Sequence, residues 1–193
     1  MTMEQYKQVV KPRLTPYRWK HSVNVSKAAV HLAQKYGADP QKAEIAGILH
    51  DVMKDTPAQE QLQYMQRFGI MLSAVELSSS KLWHAMSGAA FIEHDLDVDD
   101  PEILCAVRYH TTARPDMGLL EKVIYIADFI SEERDYDGVE HMRAAAEKSL
   151  EKAMMEGLSF TLQDLAGRRL PIHPDTFAAF NQLAMQQTKK KEK

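Results

Sequence analysis

The chain of 193 residues is long enough to bury the core of one domain, and 45 % hydrophobic and 26 % charged residues are ordinary proportions for a soluble globular protein. A net charge of -3 excludes a global positive field of the kind that attracts nucleic acid. The single cysteine, Cys105, excludes an intramolecular disulfide and favours a reducing, cytoplasmic location. No apolar stretch approaches the roughly 18 residues that a membrane span needs, and the N-terminus lacks the pattern of a signal peptide, so we expect no contact with membranes.

Apolar residues recur at helical spacing along almost the whole chain, and no segment has the alternation of a strand or the turn of a hairpin. Helix stop and start signals agree, since Gly37 ends one predicted helix and Asp39 with Pro40 begins the next. The spacing predicts helices over about 3–10, 15–36, 40–53, 58–68, 81–94, 101–110, 119–132, 139–155 and 174–187.

Polar residues rich in Arg, Asp and Glu predict loops at 133–138 and 166–173. The sequence contains no internal repeat and no linker that would separate a second domain. We therefore predict one all-α domain over residues 1–188, followed by a disordered basic tail at 189–193.

Asp128 lies in an unusual position, inside the apolar run Val123–Ile130. Burying an ionised carboxylate without a partner costs more free energy than the stability of a domain allows. Asp128 is therefore expected to take up a proton, pair with a cation or bind a metal. The other polar residues on apolar helix faces help to decide among these possibilities.

Four of the eight histidines fall on predicted apolar helix faces and are expected to point inward. These are His21, His50, His84 and His110. The small residue Gly47, three positions before His50, would let another backbone approach closely, as a crowded site requires.

The dipeptide His-Asp occurs twice, and its context separates the two copies. His50-Asp51 follows the apolar run Ile45–Leu49, whereas His94-Asp95 leads into an acidic connection and is predicted to be solvated. His31 and His141 fall on polar faces and are also predicted to be solvated.

Six residues on five predicted helices make up the inward polar set: His21, His50, Asp51, His84, His110 and Asp128. Any one histidine on an apolar face is more often a hydrogen-bonded core residue than a ligand, and all six could form a hydrogen-bonded network. Neutral imidazoles combined with carboxylates are, however, typical metal ligands. Counted together, the six residues favour a metal site.

The order of these residues resembles the signature of the HD-domain metal-dependent phosphohydrolases. That signature is an isolated histidine, a His-Asp pair and a late aspartate on an apolar helix, here His21, His50-Asp51 and Asp128. The additional His84 and His110 match the branch of the family that holds two metals.

Longer blocks are similar to the YqeK-type branch, bacterial HD-domain hydrolases that split diadenosine tetraphosphate symmetrically into two ADP. The similar blocks are Tyr17–Ser22, Ala46–Lys54, Trp83–Ala85, Arg108–Thr112, Lys122–Ile130, Arg134 and Pro171–Pro174. The resemblance covers almost the whole chain, and it implies a single HD-domain helical bundle with a dinuclear metal site at its centre.

The resemblance also implies which residues hold the metals. The first metal is expected at His21, His50, Asp51 and Asp128, and the second at His84 and His110, with Asp51 bridging. Imidazole and carboxylate ligands without thiolate suit iron or manganese, the family points to iron, and magnesium fits less well because it prefers oxygen ligands. A water bridging two metals has a lowered pKa and can supply the hydroxide that attacks an inner phosphate. Asp51, Lys54 and Asp128 are the predicted catalytic residues.

A polyphosphate substrate needs cations beyond the metals. Arg18 lies one turn before His21 and Lys54 one turn after His50, so both are expected at the metal edge. Arg134 opens the loop after Asp128, and Thr111 could hydrogen-bond a phosphate oxygen. Together with His21, Asp51, His84, His110 and Asp128, these residues form the predicted substrate site. Its nucleoside pocket is predicted at Leu170, Pro171, Ile172, His173, Pro174 and Asp175.

Several alternatives stay open at the level of sequence. Arg18, Lys54 and Arg134 could simply be solvated surface residues. Another HD phosphohydrolase, acting on a nucleoside monophosphate or a deoxynucleoside triphosphate, would share the ligand set. A non-catalytic nucleotide-binding regulatory protein with a structural metal would share it too. A homodimer is compatible with the resemblance, although no segment identifies an interface.

Overall fold

The computed structural model of the protein describes residues 1–191, with side chains as far as residue 188. Within these residues the chain forms helices and no strand, which confirms the predicted all-α fold. The helices are α1 (Met3–Val10), α2 (Pro16–Tyr36), α3 (Pro40–Leu49), α4 (Ala58–Arg67), α5 (Ala74–Ser78), α6 (Trp83–His94), α7 (Pro101–Tyr109), α8 (Leu119–Ile130), α9 (Val139–Lys148), α10 (Leu150–Gly167) and α11 (Pro174–Lys191).

Residues 192–193 of the predicted basic tail lie outside the described residues. None of the described helices is both long and apolar enough to cross a membrane.

The helix boundaries follow the local signals in the sequence. Asp39 caps α3 and Asp100 caps α7, each side chain accepting hydrogen bonds from two backbone N–H groups of the first turn. Gly37 ends α2 in the left-handed conformation, with φ of 82°, which glycine adopts without steric cost.

The region between 139 and 167 differs from its prediction. The predicted helix over 139–155 is interrupted at Ser149, which is extended (φ -163°, ψ 131°) and whose hydroxyl accepts from the N–H of Lys152 at 3.3 Å. Serine competes in this way with the backbone hydrogen bonds of a helix and therefore favours a cap. The helix that Ser149 starts, α10, then runs to Gly167, past the predicted loop start at 166.

Helix α3 ends at Leu49 instead of continuing to residue 53. The N–H of Val52 bonds to the carbonyl of Leu49 at 3.0 Å and that of Lys54 to Asp51 at 2.8 Å, so tight turns replace the helix. The short helix α5, which the periodicity did not predict, starts with a capping box between Ser73 and Glu76.

The centre of the molecule is the packing of α2 against α3 and α8, and of α7 against α6 and α8. The approach of α2 and α3 is unusually close, because a Cβ atom added at Gly47 would lie 2.5 Å from the Cα of Ser26. The helices that pack here are also the ones that carry the predicted ligands. The fold thus brings residues that are far apart in sequence to one buried point.

Candidate metal centre and adjoining cavities

Five polar side chains meet at the centre of the bundle, each at most 3 % exposed. His21 lies within α2, and His50 with Asp51 lies in the turn that follows α3. His84 belongs to the first turn of α6, and His110 directly follows α7. The ligand atoms of His21, His50 and Asp51 lie within 4.8 Å of one another, and so do those of Asp51, His84 and His110.

Asp51 is shared by both groups, and its two oxygens face different histidine pairs. Its Oδ2 lies 3.5 Å from Nε2 of His50 and 3.7 Å from Nε2 of His21. Its Oδ1 lies 3.2 Å from Nε2 of His84 and 3.6 Å from Nε2 of His110. A carboxylate in this position can place one oxygen toward each of two adjacent metal ions.

Hydrogen bonds on the outer side of the rings orient the imidazoles. Nδ1 of His50 and Nδ1 of His110 each donate to the backbone carbonyl three residues earlier, at 2.7 Å, and Nδ1 of His21 donates to the carboxylate of Glu133. In the neutral rings the Nε2 lone pairs then face the cluster, and Nε2 of His21 and His50 are 3.3 Å apart. Two lone pairs cannot hydrogen-bond to each other, and a cation between such nitrogens satisfies both.

Burial and charge set protonation states that suit a metal. Burial by itself raises the pKa of Asp51, but the electrostatic influence of the surrounding imidazoles, His50 first and then His110 and His84, outweighs it and holds the pKa well below its usual range. Burial is also the main reason that the pKa of His84 falls to about 4. Since ionised carboxylates and neutral imidazoles are the ligating forms, these residues fit a divalent metal site.

Asp128 lies at the edge of the cluster rather than within either group of three. Its Oδ1 is 3.0 Å from Nε2 of His21, and its side chain is 23 % exposed. Arg134 donates from Nε to the backbone carbonyl of Asp128 at 2.9 Å and from Nη2 to its carboxylate. Burial alone raises the pKa of Asp128, but the adjacent imidazole of His21 and the charge of Arg134 outweigh burial and hold the pKa well below its usual range.

The three other predicted phosphate contacts lie against the cluster. Nη1 of Arg18 is 2.9 Å from Oδ2 of Asp51, Nζ of Lys54 is 3.2 Å from Nε2 of His84, and Oγ1 of Thr111 is 3.3 Å from the same nitrogen. Burial is the main cause that lowers the pKa of Lys54. The structure therefore brings predicted metal ligands and predicted phosphate contacts to one place.

A family model described as the HD domain matches residues 18–133 of the chain, a range that includes both histidine pairs, Asp51 and Asp128. The chain belongs to the HD-domain family. The predicted family is thus confirmed, and the cluster lies within the range that the family model matches.

Relatives of this HD-domain chain match it over nearly its full length. A protein of Bacillus subtilis named "Bis(5'-nucleosyl)-tetraphosphatase, symmetrical" is 40 % identical over 95 % of this chain and 98 % of its own. One of the same name from Halalkalibacterium halodurans is 39 % identical over 93 % of this chain and 96 % of its own. A solved structure from Clostridium acetobutylicum, described as a predicted HD superfamily hydrolase involved in NAD metabolism, superposes with a TM-score of 0.93 at 33 % identity, covering 96 % of this chain and 98 % of that one.

Beside the His84–His110 pair the HD domain has a cavity of about 300 Å³, which we call the first cavity. Its lining residues are Lys54, Ser78, Ser79, Lys81, Leu82, Thr111, Thr112, Thr161, Leu165, Arg168, Leu170, Pro171, His173 and Thr176. Leu170, Pro171 and His173 of the predicted nucleoside segment line it, whereas Ile172, Pro174 and Asp175 do not.

The turn after His110 and the start of α11 hold this cavity in shape. Ala113 adopts a left-handed conformation with φ of 55°, which is strained for a residue with a Cβ. The hydroxyl of Thr176 donates to the carbonyl of Thr112 at 2.7 Å and joins the two walls. His173 lies 3.5 Å from Oε1 of Glu76, so part of its ring is already engaged.

Sequence reasoning missed Glu133. Its carboxylate accepts from Nδ1 of His21, from Nδ2 of Asn24 at 2.7 Å and from the hydroxyl of Ser131 at 2.6 Å. Burial raises its pKa, but these hydrogen bonds outweigh burial and lower the pKa to about 2. Glu133 lies in a polar loop without periodicity, so no pattern in the sequence singles it out.

The cavity wall contributed by Ser78, Ser79 and Lys81 was likewise not predicted, because no diagnostic motif covers residues 60–80 and none includes Lys81. The histidines predicted to be solvated lie away from the cluster. Side chains of His31, His94 and His141 are 58 %, 39 % and 67 % exposed.

Proposed function

We propose that this protein hydrolyses diadenosine tetraphosphate symmetrically into two ADP. The observation that carries the proposal is the shared Asp51, whose two oxygens face two separate histidine pairs. Symmetrical bis(5'-nucleosyl)-tetraphosphatase is the name of relatives that match the chain over nearly their full lengths. Cationic side chains and a cavity lie beside the cluster, and they could bind the phosphates and a nucleoside of an anionic nucleotide.

A dinuclear centre is part of the proposal. The first ion would be held by His21, His50, Asp51 and Asp128, and the second by Asp51, His84 and His110. We propose iron, with manganese as the alternative, because imidazole and carboxylate ligands without thiolate suit both ions. When bound, such ions lower the pKa of water and stabilise negative charge on phosphate oxygens.

The protein's own residues would position the polyphosphate. Lys54 lies next to His84, and Arg18 lies next to Oδ2 of Asp51. The guanidinium of an arginine can hold two phosphate oxygens at once, whereas lysine acts as a point charge. Thr111 lies beside His84 and can donate its hydroxyl proton to a phosphate oxygen.

The first cavity is the proposed site of one nucleoside. Leu170 and Pro171 offer apolar surface to a base or ribose, and His173 offers a polar edge. Ile172, Pro174 and Asp175 would support this segment from outside the cavity. Arg134 and Asp128, at the other side of the cluster, would then face the second half of the substrate.

Chromatographic analysis of products tests the proposal directly. Diadenosine tetraphosphate should give ADP alone, and ATP with AMP, or no turnover, would contradict it. His50→Ala is the informative variant, since it should lose metal and activity while keeping its helices. A non-catalytic protein with a structural metal would instead show no activity in the wild type and would lose stability when the metal is removed.

Two sequence predictions accompany the proposal, a cytoplasmic location and a possible homodimer. Sedimentation of the metal-loaded protein would test the second. A monomer across the concentration range of the assay would contradict the homodimer without affecting the proposed reaction.

A further inference from the structure

A second cavity, of about 290 Å³, is lined by Asp128, Phe129, Arg134, Tyr136 and Phe160. We propose that it binds the nucleobase of the second half of the dinucleotide, by stacking on Phe160. This inference rests on the proposed function, because only a substrate with a nucleoside at each end needs two such sites. A dinucleoside tetraphosphate that is cleaved at its centre has one nucleoside and two phosphates on each side of the bond that breaks.

The contacts place the two cavities at the two ends of the cluster. Lys54 and Thr111 line the first cavity and lie 3.2 Å and 3.3 Å from Nε2 of His84. Asp128 lines the second cavity and lies 3.0 Å from Nε2 of His21. Because Asp51 separates the two histidine pairs, a polyphosphate that crosses the cluster has a cavity of similar volume at each end.

Helix α10 is the wall that the cavities share. Phe160 lines the second cavity, whereas Thr161 and Leu165 line the first. Successive helical residues point about 100° apart, so one helix can present side chains to two different spaces. The two nucleosides would therefore bind on different faces of α10.

The chemistry of the second cavity suits a base rather than a phosphate chain alone. Phe160 is 42 % exposed, and its ring centroid lies 5.2 Å from that of Tyr136 and 6.2 Å from that of Phe129. Tyr136 is held in place by donating its hydroxyl to the carbonyl of Phe129 at 3.2 Å. An exposed ring that is fixed by aromatic neighbours is a stacking platform for a nucleobase.

Arg134 connects this platform to the cluster. It is bound to Asp128 through Nε and Nη2, yet its side chain stays 33 % exposed. A guanidinium in this position can bind the phosphate next to the second nucleoside while Asp128 holds its orientation. Phe160, Arg134 and the His-Asp cluster thus lie in the same order as the base, the adjacent phosphate and the central phosphates of the substrate.

Steady-state kinetics with two substrates tests the inference. Diadenosine tetraphosphate has two bases, and adenosine 5'-tetraphosphate has one, which can occupy the first cavity. Phe160→Ala should raise KM for the dinucleotide about tenfold, within the range expected for loss of one stacked base, and leave KM for the single-base compound unchanged. Phe160→Tyr keeps the ring and should behave as the wild type.

Phe177→Ala is the matched control, because Phe177 is 55 % exposed on α11 and lines neither cavity. An unchanged KM for the dinucleotide in Phe160→Ala, or equal losses on both substrates, would overturn the second base site while ADP production by the wild type still supported the proposed function. If the wild type produces no ADP, the proposed function fails, and this inference fails with it.

Discussion

The dipeptide His-Asp occurs at two places in this molecule, and the two copies differ in almost every physical respect. His50 and Asp51 are 0 % and 2 % exposed and lie among three other histidines. The side chain of His94 is 39 % exposed, and its ring stacks on Phe68 with centroids 3.9 Å apart. The carboxylate of Asp95 accepts from the hydroxyl of Tyr64.

The difference shows that a metal site needs more than the right residue types, because the ligands must also be oriented and shielded from water. At His50 the ring is oriented by a backbone carbonyl and water is excluded, so its Nε2 lone pair is presented to the cluster. At His94 the imidazole has an aromatic neighbour and solvent, and within the described part of the chain no second imidazole contacts it. Substitutions at one copy only, or at a buried position and its exposed counterpart, should therefore have unequal effects.

Asp51→Asn should have the largest effect, because Asp51 is the only carboxylate of the described residues that faces both histidine pairs. Loss of a residue that hydrogen-bonds to a metal ligand lowers activity by up to about 100-fold. We expect a larger loss of activity when the shared ligand itself is replaced. ADP release and bound metal, measured on the same preparation, check this. The control Asp95→Asn should keep both, and retention of even a tenth of the activity by Asp51→Asn would contradict the shared role.

Glu133→Gln should have the next largest effect, a loss of about 10- to 100-fold in metal affinity or activity, because it weakens the bond that orients His21. Its exposed counterpart is Glu147, which bonds His31 at 2.7 Å with both side chains at least half exposed. Glu147→Gln should therefore change nothing measurable. Equal behaviour of the two variants in a metal titration would show that Glu133 does not act through His21.

Removal of metal should lower the thermal stability of the protein, and this loss should depend on Asp51 but not on Asp95. Ions that bind only the folded protein stabilise it by about 2.7 kcal/mol at 100 times their Kd. Adding iron or manganese back to chelated wild type should therefore raise Tm, and Asp95→Asn should respond equally. Thermal unfolding of Asp51→Asn should show no such rise, and a wild-type response in this variant would place the ion elsewhere.

Gly47→Ala should have the smallest effect of this group, a destabilisation of about 1–3 kcal/mol, typical of overpacking. Its new Cβ would meet the backbone of Ser26, which cannot move without separating α2 from α3. Gly167→Ala is the control, since a Cβ there meets nothing within 4 Å. Urea unfolding of both variants measures the contrast, and equal midpoints would contradict the close approach.

The helix faces of the four inward histidines were predictable from sequence, because helical periodicity reports which side of a helix is buried. The neighbouring sequence separated the two His-Asp copies, because an apolar run precedes His50-Asp51 and an acidic connection follows His94-Asp95. Periodicity did not predict the second half of α10, where Gly157 interrupts the apolar pattern. A glycine is present there because the helix packs closely against Tyr125. A Cβ at Gly157 would lie 3.3 Å from the ring of Tyr125.

Residues in loops were predictable only in part. Arg134 was found because it matches a family block, whereas Glu133, its neighbour in the same loop, was not. The function of Glu133 comes from the distance between its carboxylate and His21, residues that are 112 positions apart in the chain. Nothing local in the sequence encodes such a contact. The cavity walls depend in the same way on how α10 and α11 pack.

Counting the metal ions bound to each chain tests the central claim most directly. Protein purified without air should contain two divalent ions per chain by elemental analysis, and His84→Ala should retain only the ion at His21 and His50. One ion per chain in both the wild type and His84→Ala would contradict a centre shared through Asp51.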